Sequence, residues 1–361
     1  KPLTRLEDEP PFGAIFLQLI KSAFLSGQVN MMSSIRGISN CIRIVSAAAW
    51  LIMLAACAST PTPRFYDDFA IVNAAEGDSM ASLADQFLGD PAKGWMIAEF
   101  NQVSQPAPGQ PLVVPLQAFR QGGLGANGYQ LVPILAYHRF STSTADKTIV
   151  TEAAFDAQMN YLHEQGYQTL SLDRFMGFLE FREQIPERSV LITIDDGFNC
   201  FYEIGYPILK KYGFIATLFV YPEFIGSPKA LSWDQLRELA AAGFDVQSQG
   251  SSHQSLVMTP EDHDLEVYLN DLEKELRLSK QFIESELERP CHYLAYPYGD
   301  YSPLVAAMAE HVGYRAAFTV NRGGNPFFMD RLRLNRSVVY GQWDLETFKQ
   351  NLTVFRLIDQ G

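Results

Sequence analysis

The chain has 361 residues, more than one average domain needs and enough for two or three. Apolar residues make up 47% and charged ones 19%, which supplies large cores and excludes wholesale disorder. A formal charge of −13 argues against nucleic acid as a partner, since phosphates call for a basic face, and four cysteines rule out a disulfide scaffold. In chain order, the first credible start is Met31 or Met32, so residues 1–30 are set aside as an upstream segment without a readable motif. Arg36 and Arg43 precede an apolar run from Ile44 to Ala56, shorter than the roughly 20 residues that span a bilayer. A basic start, a short apolar stretch and small residues before a cut make a secretion signal over residues 31–56.

Leu54-Ala55-Ala56-Cys57 resembles a bacterial lipobox. The resemblance implies that Cys57 is the lipidated first residue of the mature protein, held on a membrane by acyl chains. Ala58 after it resembles lipoproteins sorted to the outer membrane, so the expected place is the cell envelope, facing the periplasm. Residues 57–68 are polar and Pro-containing and read as a tether. Residues 69–116 then read as strand, helix, helix, strand. Phe69-Ala-Ile-Val is the first strand, Leu83 and Phe87 share a helix face, Trp95 to Phe100 form the second helix, and Pro111–Pro115 the last strand. With Gly77-Asp-Ser, Ala98-Glu-Phe-Asn101 and Pro108-Gly-Gln-Pro in place, this unit looks like a LysM module. That implies a small α+β unit binding N-acetylglucosamine-containing glycans such as peptidoglycan. Residues 117–130, with four glycines between Gln121 and Gly128, read as a flexible linker.

From residue 131 to 361 short apolar strands alternate with amphipathic helices. The strands are expected at Val132–Tyr137, Val190–Ile194, Ile215–Val220, Phe244–Ser248, His292–Tyr296 and Arg315–Val320. Such alternation means a parallel α/β sheet, doubly wound or closed into a barrel. Active sites in these folds lie at the carboxyl ends of strands. Four ends carry chemistry: Tyr137-His138-Arg139, Asp195-Asp196-Gly197-Phe198, Gln249-Gly-Ser-Ser-His253 and Tyr296-Pro297-Tyr298-Gly299-Asp300. Side chains on a strand alternate faces, so both aspartates reach one pocket only if the chain turns, which Gly197 permits. Adjacent carboxylates repel unless a cation or proton separates them. With a metal, one carboxylate serves as ligand and the other as base toward metal-bound water, a workable hydrolytic site.

Thr193-Ile-Asp-Asp-Gly-Phe198, Leu135-Ala-Tyr-His-Arg-Phe140 and Leu294-Ala-Tyr-Pro-Tyr-Gly299 resemble the polysaccharide deacetylases, the NodB-homology or carbohydrate esterase family 4 group. The resemblance covers about residues 131–348 and implies a distorted (β/α) barrel that removes acetyl groups from N-acetylated polysaccharide of the envelope or exopolysaccharide. It makes Asp195 the general base, Asp196 and His253 ligands of a zinc-like divalent ion (Zn, Co or Ni), and the Tyr298 N–H an oxyanion donor. It sets Tyr137, Tyr296 and Pro297 against substrate. Gln249 stands where the group's first ligand histidine belongs, a neutral and weaker donor that implies a weakly held ion; His138 is the candidate to complete the set. Ala295 stands where the group commonly has an arginine orienting the base, and the late histidine acid has no match, leaving Asp330 and Arg336 as candidates for replacement. The alternative is a glycan-binding scaffold of the same fold with a lapsed centre.

Overall fold

The structure, a computed structural model, describes residues 62–259 and 264–358; the secretion signal and Cys57 lie outside them. Among the described residues, strands β1 (Arg64–Phe65), β2 (Phe69–Asn73) and β3 (Pro111–Pro115) form an antiparallel sheet. Helices α1 (Met80–Leu88) and α2 (Gly94–Asn101) connect β2 to β3. The start of α1 is fixed by a reciprocal cap: Ser79 Oγ accepts the Ser82 N–H at 3.0 Å and Ser82 Oγ accepts the Ser79 N–H at 2.8 Å. Ala70, Val72, Leu83, Ile97, Leu112 and Val114 give this unit a core of its own. Asn101 locks α2 to β3. Its amide donates to the Ile97 and Val113 carbonyls at 2.8 and 2.7 Å and its side-chain oxygen accepts the Val113 N–H at 2.9 Å. The tether ends earlier than the sequence suggests, because the Tyr66 N–H turns back onto the Phe69 carbonyl and lets Arg64 and Phe65 pair with Ile71 and Ala70.

The glycine-rich stretch is not a free linker. β4 (Leu124–Gly125) and β5 (Gly128–Gln130) make a hairpin, and β5 also pairs antiparallel with Phe355–Leu357. A Cβ on Gly128 would lie 2.2 Å from the Arg356 carbonyl oxygen, so this glycine serves close backbone approach rather than freedom.

Next come β6 (Val132–Tyr137), a small parallel pair β7 (Arg139–Ser141) and β8 (Ile149–Thr151), α3 (Glu152–Glu164), β9 (Gln168–Thr169) and α4 (Leu172–Leu179). β10 (Ser189–Asp196), α5 (Tyr206–Tyr212), β11 (Thr217–Val220), α6 (Trp233–Ala241), β12 (Asp245–Ser248), α7 (Leu265–Leu287), β13 (Tyr293–Ala295), α8 (Pro303–Val312) and β14 (Ala316–Phe318) alternate as expected. β15 (Gly324–Asn325), β16 (Ser337–Val338), α9 (Leu345–Lys349) and β17 (Phe355–Leu357) finish the chain. The parallel strands lie in the order β14-β13-β12-β11-β10-β6. Segment 334–338 spans the remaining gap: Leu334 bridges to Phe318 of β14, and Ser337 pairs with Leu135 of β6. The sheet therefore curls into a distorted barrel.

Period-two alternation sorts the strand residues into two cores. Val132, Ile134, Leu191, Phe219, Tyr293, Ala295 and Phe318 fill one, together with Leu334. Leu135, Tyr137, Val190, Ile192, Ile194, Val220 and Leu294 pack in the other against residues of α3, α6, α7 and α8. Asp195 shares the parity of Leu191, which aims it inward. Among the described residues no helix is long and apolar enough to cross a membrane.

Candidate active site

Strand alternation alone would send Asp195 and Asp196 to opposite faces. Instead the Gly197 N–H reaches back to the Asp195 carbonyl at 2.9 Å, closing a three-residue turn with Asp196 at φ 72 and Gly197 at φ 88. The turn expected at Gly197 thus begins one residue earlier. Three of the six non-glycine residues with positive φ among the described residues, Asp196, His253 and Tyr298, gather at these strand ends. Backbone held in that region is costly and clusters where function needs a fixed geometry.

Asp195 is buried, and its Oδ1 lies 2.7 Å from Nη1 of a fully buried Arg336. Arg336 Nε donates to the Thr319 carbonyl at 3.0 Å, and its guanidinium lies over the Phe219 ring. Arg336 comes from the segment that closes the barrel, so it reaches the interior from the opposite edge of the sheet. Ala295, on the same inner face, brings no charge; the guanidinium beside Asp195 comes instead from Arg336. Asp330 instead holds a turn, its Oδ1 accepting the Leu332 N–H at 2.9 Å. The second Asp195 oxygen faces His138, with Nε2 at 3.9 Å from Oδ2.

Asp196 and His253 do meet, with Nε2 3.4 Å from Oδ1. Gln249 sits between them. Its Oε1 accepts the Asp196 backbone N–H at 2.9 Å, and since only an acceptor can face an N–H, the amide orientation is fixed. Its Nε2 therefore points to Asp196 Oδ1 at 3.2 Å and His253 Nε2 at 3.1 Å. Burial pushes the Asp196 carboxyl above its ordinary value, and the Asp195 charge adds to this, while His138, His253 and the Gln249 amide oppose it.

A zinc-like site needs at least three protein donors at about 2.0–2.3 Å from one point. Asp196 and His253 supply two; Gln249 presents an N–H where a lone pair is required. His138 faces Asp195 and does not complete the set: among the described residues, no three His, Cys, Asp or Glu side chains are grouped to hold an ion. The residues present do not fit such an ion in this arrangement. This corrects the expectations for Gln249 and His138 as ligands.

The substrate-facing expectations for Tyr137, Tyr296 and Pro297 are also corrected. Tyr137 is fully buried with its hydroxyl donating to Gln158 Oε1 at 2.9 Å, and Tyr296 is fully buried with its hydroxyl on the Leu332 carbonyl at 2.9 Å. Both lie in the core against the helices, because their parity on β6 and after β13 points them away from the mouth. Pro297 is buried too, as the first residue of the turn that lifts Tyr298. That turn spends the Gly299 and Asp300 N–H groups on Tyr296 and Pro297 carbonyls and leaves the Tyr298 N–H out. The Tyr298 ring, 63% exposed, stands edge-on to His253 at 4.7 Å, and Tyr221 flanks the same imidazole at 4.9 Å. Sequence reasoning missed both rings. Tyr221 directly follows the last residue of β11, and that position was the available signal.

Residues 182–317 match the family model described as polysaccharide deacetylase. Over that stretch the chain is similar to the polysaccharide deacetylases. It is similar to YxkH of Bacillus subtilis, a protein named for that family, at 33% identity over 193 residues, covering 53% of this chain and 65% of that one. It is 27% identical over 196 residues to the poly-beta-1,6-N-acetyl-D-glucosamine N-deacetylase of Staphylococcus epidermidis, covering 53% of this chain and 68% of the relative. Among solved structures, the Streptococcus pyogenes deacetylase PplD in complex with acetate matches with a TM-score of 0.56 and 27% identity, over 62% of this chain and 99% of that one. The distorted barrel is thus the deacetylase fold.

Proposed function

We propose that the protein is a polysaccharide deacetylase that hydrolyses N-acetyl amides of an N-acetylglucosamine-containing polymer in the cell envelope. The observation that carries this reading is Asp195, a buried carboxylate aligned by Arg336 on one oxygen and free to act with the other. Asp195 takes the proton of a water as it adds to the acetyl carbonyl carbon. The Tyr298 N–H faces the developing oxyanion. Collapse breaks the C–N bond, releasing acetate, and the amine leaves with a proton that His138, beside Asp195, is set to pass on. The exposed Tyr298 ring offers a sugar a stacking face.

Metal dependence, an expectation carried over from the family resemblance, is weakened by the Gln249 N–H, and no step above runs through an ion. The same N–H favours a second reading, a glycan-binding scaffold of this fold without turnover. The small unit at residues 64–116 is read as a LysM-like glycan holder, its support being the strand–helix–helix–strand order and the Asn101 lock. Cys57 is read as the lipid anchor and the outer membrane as its place, on the Leu-Ala-Ala-Cys sequence alone.

Acetate release from N-acetylglucosamine oligomers, with and without added zinc, cobalt or nickel, separates the two readings. Turnover by the unaltered protein supports the hydrolase. Oligomer binding without acetate under every condition supports the scaffold. Gln249→His replaces the donor with a lone pair and is expected to tighten zinc binding about tenfold or more, read by calorimetry.

A further inference from the structure

The loop that carries Gln249 and His253 is strained, with Gly250 at φ 79 and His253 at φ 61. Such backbone persists only where its surroundings hold it. One face of α7 supplies that hold. Glu275 Oε1 accepts the Ser251 and Ser252 N–H groups, each at 2.7 Å, and the Ser252 hydroxyl at 3.0 Å. Bonds to a carboxylate are short and about twice as strong as neutral ones. A Cβ on Gly250 would lie 3.0 Å from the same Oε1, so the glycine lets the carboxylate close onto the bend. One turn further along α7, Ser279 Oγ meets Ser248 Oγ at 2.7 Å, and Ser248 Oγ also accepts the Gly250 N–H at 3.1 Å.

The loop in turn touches every part of the mouth. Gln249 Oε1 accepts the Asp196 N–H at 2.9 Å, and the Ser251 carbonyl accepts the Glu223 N–H at 3.2 Å, just beyond Tyr221. The His253 ring stands against both Tyr221 and Tyr298, at 4.9 and 4.7 Å between centroids. A shift of this loop therefore moves the Asp196 turn and the turn that presents the Tyr298 N–H together. Reacting groups must be held to within about 0.5 Å, and a loop reaches that precision only when a rigid element supports it. The 23-residue helix α7 is such an element.

We infer that Glu275 is a positioning residue, which from α7 fixes the loop of Gln249 and His253 and through it the geometry of the whole mouth. That the mouth turns over an N-acetylated sugar rests on the proposed deacetylase reading; the hold on the loop rests on the three hydrogen bonds to Glu275 Oε1.

The test follows the carbon-bound ring protons of His253 by NMR in the full chain, which has six histidines. Loss of one signal in His253→Asn assigns it, and the two tyrosine rings displace it from the position of an ordinary imidazole. Glu275→Ala is expected to move this signal toward the ordinary position while those of His163, His292 and His311, away from the mouth, stay in place. It is also expected to lower kcat for acetate release from the N-acetylglucosamine tetramer about tenfold to hundredfold, with KM within about threefold. Glu275→Gln keeps an acceptor oxygen and loses the charge, so the signal moves part of the way and kcat falls less than about fivefold. A merely structural role would lower the melting temperature and leave both the His253 signal and kcat of the folded protein where they are; that result overturns the inference. Should Glu275→Ala fail to fold, Glu275→Gln decides alone, and a His253 signal unmoved in it overturns the inference. Absence of acetate from every protein would count against the deacetylase reading, while the His253 signal still decides the role of Glu275.

Discussion

Arg336 is the residue on which the site's geometry turns. A buried carboxylate without its partner is an uncompensated charge, and breaking such a pair costs about 3–5 kcal/mol. Arg336→Met is therefore expected to lower unfolding free energy by about that amount in urea titration, and adding Asp195→Asn to it is expected to restore much of the loss. A change under about 1 kcal/mol in the single variant would show that the pair does not hold the site. Arg336→Lys keeps the charge but loses the planar fork that reaches Thr319 and Asp195 together, so turnover falls even where stability is retained. The aspartate pair and His253 were legible in the sequence because strand ends and a glycine turn leave local signals. Arg336 was not legible in this role. Its contact with Asp195 spans 141 positions and depends on how the last segment closes the barrel, which no local pattern encodes.

At the scale of elements, short apolar runs located the six parallel strands β6 and β10 to β14 but not β16, which closes the sheet, and α6 starts at a reciprocal cap between Ser232 and Gln235. What failed was composition read without pairing. The glycines between residues 121 and 128 looked like slack and turned out to be contact points, Gly125 and Gly128 for β17, Gly122 for Phe181 and Gly123 for Gln130. The same lesson applies to the aromatic residues: Tyr137 and Tyr296 border chemistry in sequence yet face the helices, because one position along a strand reverses direction. Asn101 is the opposite case, a polar residue whose position in its motif has a full physical account. Its side chain makes three hydrogen bonds, two to Val113 that join α2 to β3 and one to Ile97 within α2. Asn101→Ala leaves the Val113 N–H and carbonyl without these partners and is expected to destabilise the small unit by about 1–3 kcal/mol. Hydrogen exchange confined to residues 64–116 reads this directly; unchanged exchange there would contradict it.

Over the whole molecule, the small unit is fastened behind the barrel rather than beside its mouth. Glu99 of α2 pairs with Arg120 at 2.8 Å and accepts the Glu187 N–H at 2.7 Å, while Phe100 meets Phe119 edge-on. Burial pushes the Glu99 carboxyl above its ordinary value, opposed by the Glu187 N–H and Arg120. Glu99→Ala is expected to loosen the unit, seen as a larger radius of gyration in solution scattering and faster proteolysis between residues 116 and 121; an unchanged profile would show that the Phe100–Phe119 contact alone suffices. With a formal charge of −13, the protein gains nothing from anionic surfaces.

The most direct measurement is acetate released from a soluble N-acetylglucosamine oligomer by the unaltered protein and by Asp195→Asn, run side by side over added zinc, cobalt and nickel. The account predicts one acetate per amine exposed by the unaltered protein, and a rate lower by about 10²–10⁴ without the base. Equal rates in the two proteins, or no acetate from either under any condition, would contradict it.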